Sequence, residues 1–422
     1  MQPVSLPEEA FESDYIVASY YYESKPYENV YEKAKSFAIG QTLGTWLPVP
    51  GITEKMKRDH GGKVVNIYDI PPYELLGEEA QKASHIIQIA FPDQNFGPQF
   101  PMLFTTLLGN DVSTSAQVKL IDIKFSKNFI KNFKGPKFGI EGIYTYLKIK
   151  RRPIVLSMIK PCIGYSPEAG ASLFYNAALG GLDFIKDDEL LADTEYSPIL
   201  KRVEAYSKAA EKAYRQTGHL TRYCVNITDR PDKILAHARS AQDAGAGALM
   251  LNFVAAGLSS LQALSEDSIL KIPILVHYSS AGTMTESKSS GLSSHLLLGK
   301  LARMAGADAC LFSSPYSTYP FKKRKYMQIA DSQRLAFYNL KPTMPAIGGG
   351  VHPASSVKIV KDLGKEVLLA AGGAIFGHPH GPAKGAQAMM QTVEAIYDDK
   401  DINALLGSKG YESLKLALQI WQ

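Results

Sequence analysis

The apolar positions fall into two regimes along the chain. From Ile154 onward short, continuous apolar runs recur: IVLSMI from Ile154, LDFI from Leu182, RYCVNI from Arg222, ALMLN from Ala248, IPILV from Ile272, ADACLF from Ala307, PAIG from Pro345 and EVLLAA from Glu366. Runs without polar alternation suit parallel strands covered on both faces. Between them lie stretches of helical spacing: SLFYNAALGG, SPILKRVEAYSKAAEKAYRQTG, DKILAHARSAQDAGAG, SSHLLLGKLARMAGAD and ASSVKIVKDLG. Several end in Gly just before the next strand, as helix C-termini do. Eight such units predict an α/β fold of the TIM (β/α)8 barrel type, with an open doubly wound sheet as the alternative.

The earlier part reads differently. YIVASYYYES, KVVNIYDI, ASHIIQIAFP and KLIDIKF predict alternating or edge-type strands, and NVYEKAKSFAIG and FPMLFTTLLG predict helices between them. This mixture predicts a small ferredoxin-like α+β domain over residues 1–145, with the barrel over 146–422. The boundary is placed in the Gly-rich, basic segment GPKFGIEGIYTYLKIKRRP.

Composition narrows the function classes. Hydrophobic residues are 45% and charged residues 21% of the 422, which fits a soluble globular protein and excludes disordered or fibrous chains. The net charge is +5, and the one basic run is Lys322-Lys323-Arg324-Lys325, so no nucleic-acid partner is expected. Cys162, Cys224 and Cys310 are too far apart for a disulfide framework or a zinc spacing. The polar, acidic start MQPVSLPEEAFESDY and the lack of any run near about 18 apolar residues predict a cytoplasmic protein with no membrane partner.

The chemistry of a barrel sits in the loops after its strands. There the sequence offers Lys160-Pro161-Cys162 after the first strand, Lys186-Asp187-Asp188-Glu189 after the second, Asn226, Asn252 and His277-Tyr278 after the third to fifth, and glycine clusters after the last two. Alternation along a strand puts Lys186 and Asp188 on the barrel side and Asp187 toward the helices. Asp188 and Glu189 would suit a hard cation such as Mg²⁺. A bare ammonium beside that cation would repel it, so the set makes sense if CO₂ converts Lys186 into a carbamate; a solvated charge run is the alternative. Gly349, Gly350, Gly372 and Gly373 let backbone N–H groups approach an anion, which points to a phosphorylated substrate; plain turn glycines are the alternative.

Taken together, GGLDFIKDDE (Gly180 to Glu189), MIKPCIG, IGGGVHP, AAGGAIFGHPHGPAKGA, GTW (Gly44 to Trp46), LLGN ending at Asn110 and GPKFGIEG resemble the large subunit of ribulose-bisphosphate carboxylase, in the same order over nearly the whole chain. The resemblance implies a carbamylated Lys186 completing an Mg²⁺ site with Asp188 and Glu189. It implies Lys160 as an acid/base residue, His277 at the substrate, and the four glycines at a phosphate. Thr45, Trp46 and Asn110 would serve a partner subunit's site, so a homodimer with shared active sites, or a higher oligomer built from it, is implied.

The departures are as informative. Cys162 stands for a second lysine, Tyr278 for the arginine that grips the second phosphate, Gly40 for a glutamate, and Gly348 for a serine. The loop after the sixth strand, SSPYSTYPFKKRK, does not match the lysine-bearing loop that holds CO₂. This pattern is similar to the RuBisCO-like proteins, form IV. It implies an enzyme that does not fix CO₂ but forms an enolate from a phosphorylated ketose or diketose, as the enolase of methionine salvage does. A decarboxylase or transcarboxylase of a 3-oxo sugar-acid phosphate, such as 3-oxo-isoapionate 4-phosphate, and a non-catalytic phosphometabolite-binding protein are the alternatives. Ser314 to Tyr316 and GHPHG look like the methionine-salvage enolase. Asn110, where that enolase has a lysine, does not.

Overall fold

The computed structural model describes residues 3–26, 28–45, 49–72, 83–116 and 118–421. Its strands, in chain order, are β1 (Tyr15–Glu23), β2 (Lys63–Ile70), β3 (Ser84–Pro92), β4 (Lys119–Lys124), β5 (Ile154–Met158), β6 (Phe184–Lys186), β7 (Arg222–Asn226), β8 (Ala248–Leu251), β9 (Ile274–Val276), β10 (Gly291–Leu292), β11 (Ala309–Ser313), β12 (Met344–Gly348) and β13 (Leu368–Ala370). They divide between two compact units, Met1–Phe133 with Ser280–Leu297, and Lys134–Ser279 with Leu298–Gln422.

In the first unit β4, β1, β3 and β2 lie side by side and antiparallel, the order of a ferredoxin-like βαββαβ sheet. Helix Val30–Gly40 follows β1 and buries Phe37 and Ala38. Its start is fixed by Asn29, whose side chain accepts the backbone N–H of Glu32. Helix Phe100–Leu107 follows β3 and buries Phe100, Leu103 and Leu107. Tyr20 of the central strand, wholly buried, donates to the carbonyl of Leu107 (2.8 Å). The tyrosine-rich stretch therefore packs the sheet. A fifth strand, β10, pairs in parallel with β4 and comes from the distant segment Ser280–Leu297.

In the second unit eight parallel strands close into a barrel in the order β5-β6-β7-β8-β9-β11-β12-β13, with β13 returning to β5. Its interior is filled by Ile154, Leu156, Phe184, Cys224, Met250, Leu275, Leu311, Ala346 and Leu368. Helix Gly139–Leu147 adds Ile140, Ile143 and Tyr144 to the same cluster. The expected boundary at residue 145 thus falls inside a helix that belongs with the barrel. Apolar residues every three to four positions give that helix its barrel-facing stripe.

The N-terminal end of the barrel is tied by buried acids. Asp308, just before β11, accepts the backbone N–H groups of Phe138 (2.6 Å) and Gly139 (3.0 Å) with one oxygen and that of Ile274 (2.9 Å) with the other. Burial pushes its carboxyl up to about 6, against the pull of those three donors. Asp183, just before β6, takes both guanidinium nitrogens of Arg152 (2.7 and 2.8 Å). No helix among the described residues is long and apolar enough to cross a membrane.

Candidate active site

The opposite, C-terminal end of the barrel gathers the chemistry-bearing side chains. Lys160 follows β5, Asp188 and Glu189 follow β6, and His277 and Tyr278 follow β9. Gly349 and Gly350 follow β12, and Gly372 and Gly373 follow β13. The short strand Phe184–Lys186 ends where its alternation carries two acids in opposite directions. Asp187 turns to the helix side, where it accepts from the Tyr223 hydroxyl (2.7 Å), the Asn226 N–H (3.0 Å) and Arg202 (3.3 Å). Asp187 and Arg202 are wholly buried, so this pair clamps the strand end from behind.

Asp188 turns to the mouth instead. Its Oδ2 accepts from the Lys160 ammonium at 2.7 Å, and the same Nζ lies 2.9 Å from Cys162 Sγ. Lys186, with no exposed surface, points its Nζ at the Asp187 carbonyl (2.9 Å) and at Glu189 Oε2 (3.3 Å). His277 Nε2 is 3.4 Å from that same Oε2. The Glu189 carbonyl is held by the side-chain amides of Asn252 (2.9 Å) and Asn226 (3.3 Å).

Electrostatics follow from this alternation of charge. Burial opposes ionisation of Asp188, but the hydrogen bonds from Lys160 and Cys162 and the charge of Lys186 outweigh it and lower its carboxyl. Glu189 is likewise lowered, against burial, chiefly by the Lys186 charge. Lys160 is raised, because its bonds to Asp188 and Cys162 outweigh burial. Burial first, then the Lys186 charge, pushes His277 down to about 3. Its Nδ1 accepts the Ser279 N–H (3.1 Å), so the ring is neutral with its proton on Nε2.

Glycine is required at three of the four phosphate-type positions, whereas a Cβ on Gly373 would meet nothing within 4 Å. Gly349 and Gly350 have φ of 84° and 94°, a region that side chains rarely adopt. A Cβ on Gly372 would overlap the Met158 sulphur and lie 3.4 Å from Lys160 Cε. The backbone at Gly372 is therefore in direct reach of the lysine at the end of β5.

Tyr278 is partly buried against the barrel core and stacks on His277 (centroids 5.1 Å, planes 29° apart). Lys323, after β11, is held away from the mouth. Lys323 opens helix Lys323–Arg334 and pairs with Asp362 (2.6 Å) on helix Pro353–Leu363. In the first unit Thr45 is half-buried and Asn110 is exposed at the end of the turn after helix Phe100–Leu107; Trp46 lies outside the described residues. Position 40 carries no side chain, and the space a Cβ would need there is filled by the Asp111 carboxylate.

Sequence reasoning missed Arg202 and Asp111. Arg202 had a signal, a charge on the apolar stripe Ile199, Val203, Tyr206, Ala210 of helix Ile199–Thr217. Asp111 had none, since its meeting with Gly40 depends on tertiary structure.

A closed parallel barrel with lysine–carboxylate pairs and glycine loops at its mouth, in a chain that also carries a ferredoxin-like sheet, defines a class of barrel enzyme folds. The comparisons with known proteins specify it. The ribulose bisphosphate carboxylase large chain catalytic domain matches residues 139–421, and the N-terminal domain of that chain matches residues 8–129. The chain belongs to the ribulose bisphosphate carboxylase large-chain family, among its RuBisCO-like (form IV) proteins. It is 42% identical over 420 residues to a ribulose bisphosphate carboxylase-like protein of Archaeoglobus fulgidus, covering 99% of this chain and 96% of the relative. It is 36% identical over 410 residues to the 2,3-diketo-5-methylthiopentyl-1-phosphate enolase of Bacillus cytotoxicus, covering 96% and 97%. Among solved structures it resembles a rubisco-like protein of Alicyclobacillus acidocaldarius with a TM-score of 0.89 at 30% identity, covering 97% and 100%. An octameric Rubisco of Pyrococcus horikoshii gives a TM-score of 0.88 at 26% identity, covering 96% and 93%.

Proposed function

We propose that this chain is an Mg²⁺-dependent enzyme that forms an enolate from a phosphorylated ketose or diketose and does not fix CO₂. The observation that carries the reading is the mouth itself: Asp188 and Glu189 stand beside Lys160, Lys186 and His277, while Lys323 is tied to Asp362 on the outer ring. The relative named as an enolase and the RuBisCO-like relatives support it.

The donor set fits a hard cation. Asp188 and Glu189 offer oxygen only, and the buried Lys186 amine faces Glu189 across 3.3 Å. Carbamylation by CO₂ would turn the Lys186 ammonium into an anionic oxygen donor and so complete the set. Mg²⁺ bound there would polarise a substrate carbonyl and stabilise the negative charge that forms beside it. Lys160, held as an ammonium by Asp188, would first have to give up a proton and would then be the base for the carbon next to that carbonyl. Neutral His277 offers its Nε2–H to a substrate oxygen without adding charge. The glycine N–H groups after β12 and β13 would orient a phosphate so that the reacting carbon faces Lys160.

A homodimer with shared active sites belongs to the same proposal, with Thr45, Trp46 and Asn110 serving the partner's mouth; the octameric relative supports assembly. The three cysteines form no disulfide, which suits a reducing, cytoplasmic location. The test is solvent deuterium exchange into a phosphorylated ketose, with and without Mg²⁺ and bicarbonate. Exchange that requires both supports the enolate reading. No exchange, with CO₂ released from a 3-oxo acid phosphate, would replace it with the decarboxylase alternative.

A further inference from the structure

The loop after β11 does not match the lysine-bearing loop of the family, yet it lies directly against the glycine cradle. Thr318 N donates to the Gly349 carbonyl (3.0 Å). A Cβ built on Gly350 would sit 3.0 Å from Thr318 Oγ1, and one on Gly349 would sit 3.4 Å from both Ser313 Oγ and Ser317 Cβ. Three hydroxyls therefore border the open side of two positive-φ glycines.

Their hydrogen bonding separates one of them from the rest. Ser313 Oγ is bonded to Ser317 Oγ and to the Tyr319 carbonyl, and Ser317 Oγ also accepts the Tyr319 N–H (3.1 Å). These two staple the loop. Thr318 is exposed, and its hydroxyl makes no such bond within the loop. The loop is anchored from outside as well, because Asp362 accepts from Tyr316 OH (2.8 Å) and from Lys323 Nζ (2.6 Å). A stapled, anchored loop presenting one hydroxyl beside two glycines is a preorganised donor rather than a lid.

We propose that Thr318 is a specificity-determining residue: its hydroxyl donates to the phosphoryl oxygen held at Gly349 and Gly350, in place of a cation from this loop. Asp362 is a positioning residue that acts through Tyr316. The inference rests on the phosphate assignment in the proposed function and adds the residue that recognises it. A neutral donor recognises a monophosphate by direction and not by charge, so binding should depend on salt less than a lysine would make it.

The experiment titrates inorganic phosphate into the full-length protein by calorimetry, comparing the parent with Thr318→Val, Thr318→Ser and Asp362→Asn. Loss of one hydrogen bond to a charged acceptor predicts about tenfold weaker phosphate binding in Thr318→Val. Thr318→Ser should bind within about twofold of the parent, since it keeps the hydroxyl. With substrate, Thr318→Val should raise KM and change kcat little. Asp362→Asn should weaken phosphate binding less than Thr318→Val, with an unchanged melting temperature. Equal binding by parent and Thr318→Val, an equally weak Thr318→Ser, or no phosphate binding by the parent overturns the proposal. Phosphate binding that follows Thr318 in a parent showing no deuterium exchange would sink the enolate reading and leave this one standing.

Discussion

The two ends of the barrel use buried charge in opposite ways. At the N-terminal end each acid is consumed by fixed partners: Asp308 by three backbone N–H groups, Asp183 by a bidentate arginine and the Val155 N–H. Backbone donors cannot swing away, and the guanidinium fork fits the carboxylate in one geometry. At the C-terminal end the acids face flexible lysines, Lys160 on Asp188 and Lys186 on Glu189. An ammonium on a four-carbon stem can be displaced by an incoming cation or modified by CO₂. One end holds the barrel together, and the other keeps its charges exchangeable.

Breaking the mouth should abolish chemistry and spare the fold. Asp188→Ala should lower deuterium exchange by roughly a thousandfold or more, as loss of a metal ligand or its equivalent does. Its thermal midpoint should stay within a few degrees of the parent. Exchange at the parent rate would remove the metal-site reading of Asp188.

Breaking the opposite end should do the reverse. Asp308→Ala leaves three buried N–H groups without an acceptor, at a cost of about 3–5 kcal/mol. Denaturant melts should show this loss, while the surviving folded fraction keeps the parent's exchange rate per active site. A variant as stable as the parent would show that water replaces the carboxylate.

An intermediate effect belongs to Gly372. Gly372→Ala forces its Cβ into Met158 and toward Lys160, so the exchange rate should fall by about tenfold to a hundredfold for about 1–3 kcal/mol of stability. If stability fell while the rate held, the glycine would be packing the barrel and not shaping the site.

The most gradual effect is in pH. The Asp308 carboxyl is raised to about 6, so its neutral form is favoured in the folded state. Its contribution to stability is therefore fully present below the unfolded value near 4 and is lost as pH rises through about 6. The gap amounts to about 3 kcal/mol at most. Lys137 faces this carboxyl and limits the rise. The stability difference between parent and Asp308→Asn should therefore depend on pH between about 4 and 6 and flatten above it. A difference independent of pH would mean Asp308 is ionised throughout.

Much of this contrast was legible in the sequence, for a physical reason. Continuous apolar runs mark strands buried on both faces, and strand alternation separates Asp187 from Asp188 in the KDDE stretch. The glycines after β12 and β13 showed for the same reason, as breaks at strand ends. What stayed hidden depends on distant chain segments. β10 is two residues long and carries no periodicity of its own, so its place beside β4 could not be read. The barrel helix Gly139–Leu147 lies in a Gly-rich, basic stretch that resembles a linker, which pulled the expected boundary to 145. Asp308 looked like an ordinary residue before a strand until its three donors met it.

On the proposed reading this mouth keeps the enolising arrangement and has lost the means to add CO₂. Tyr278 offers one hydroxyl where a charged fork would hold a second phosphate, and Lys323 is bound to Asp362. The most direct measurement incubates the CO₂- and Mg²⁺-treated enzyme with ribulose bisphosphate and labelled bicarbonate and follows labelled phosphoglycerate over time. No labelled phosphoglycerate is expected above the enzyme-free background. Steady formation over many turnovers would contradict that reading.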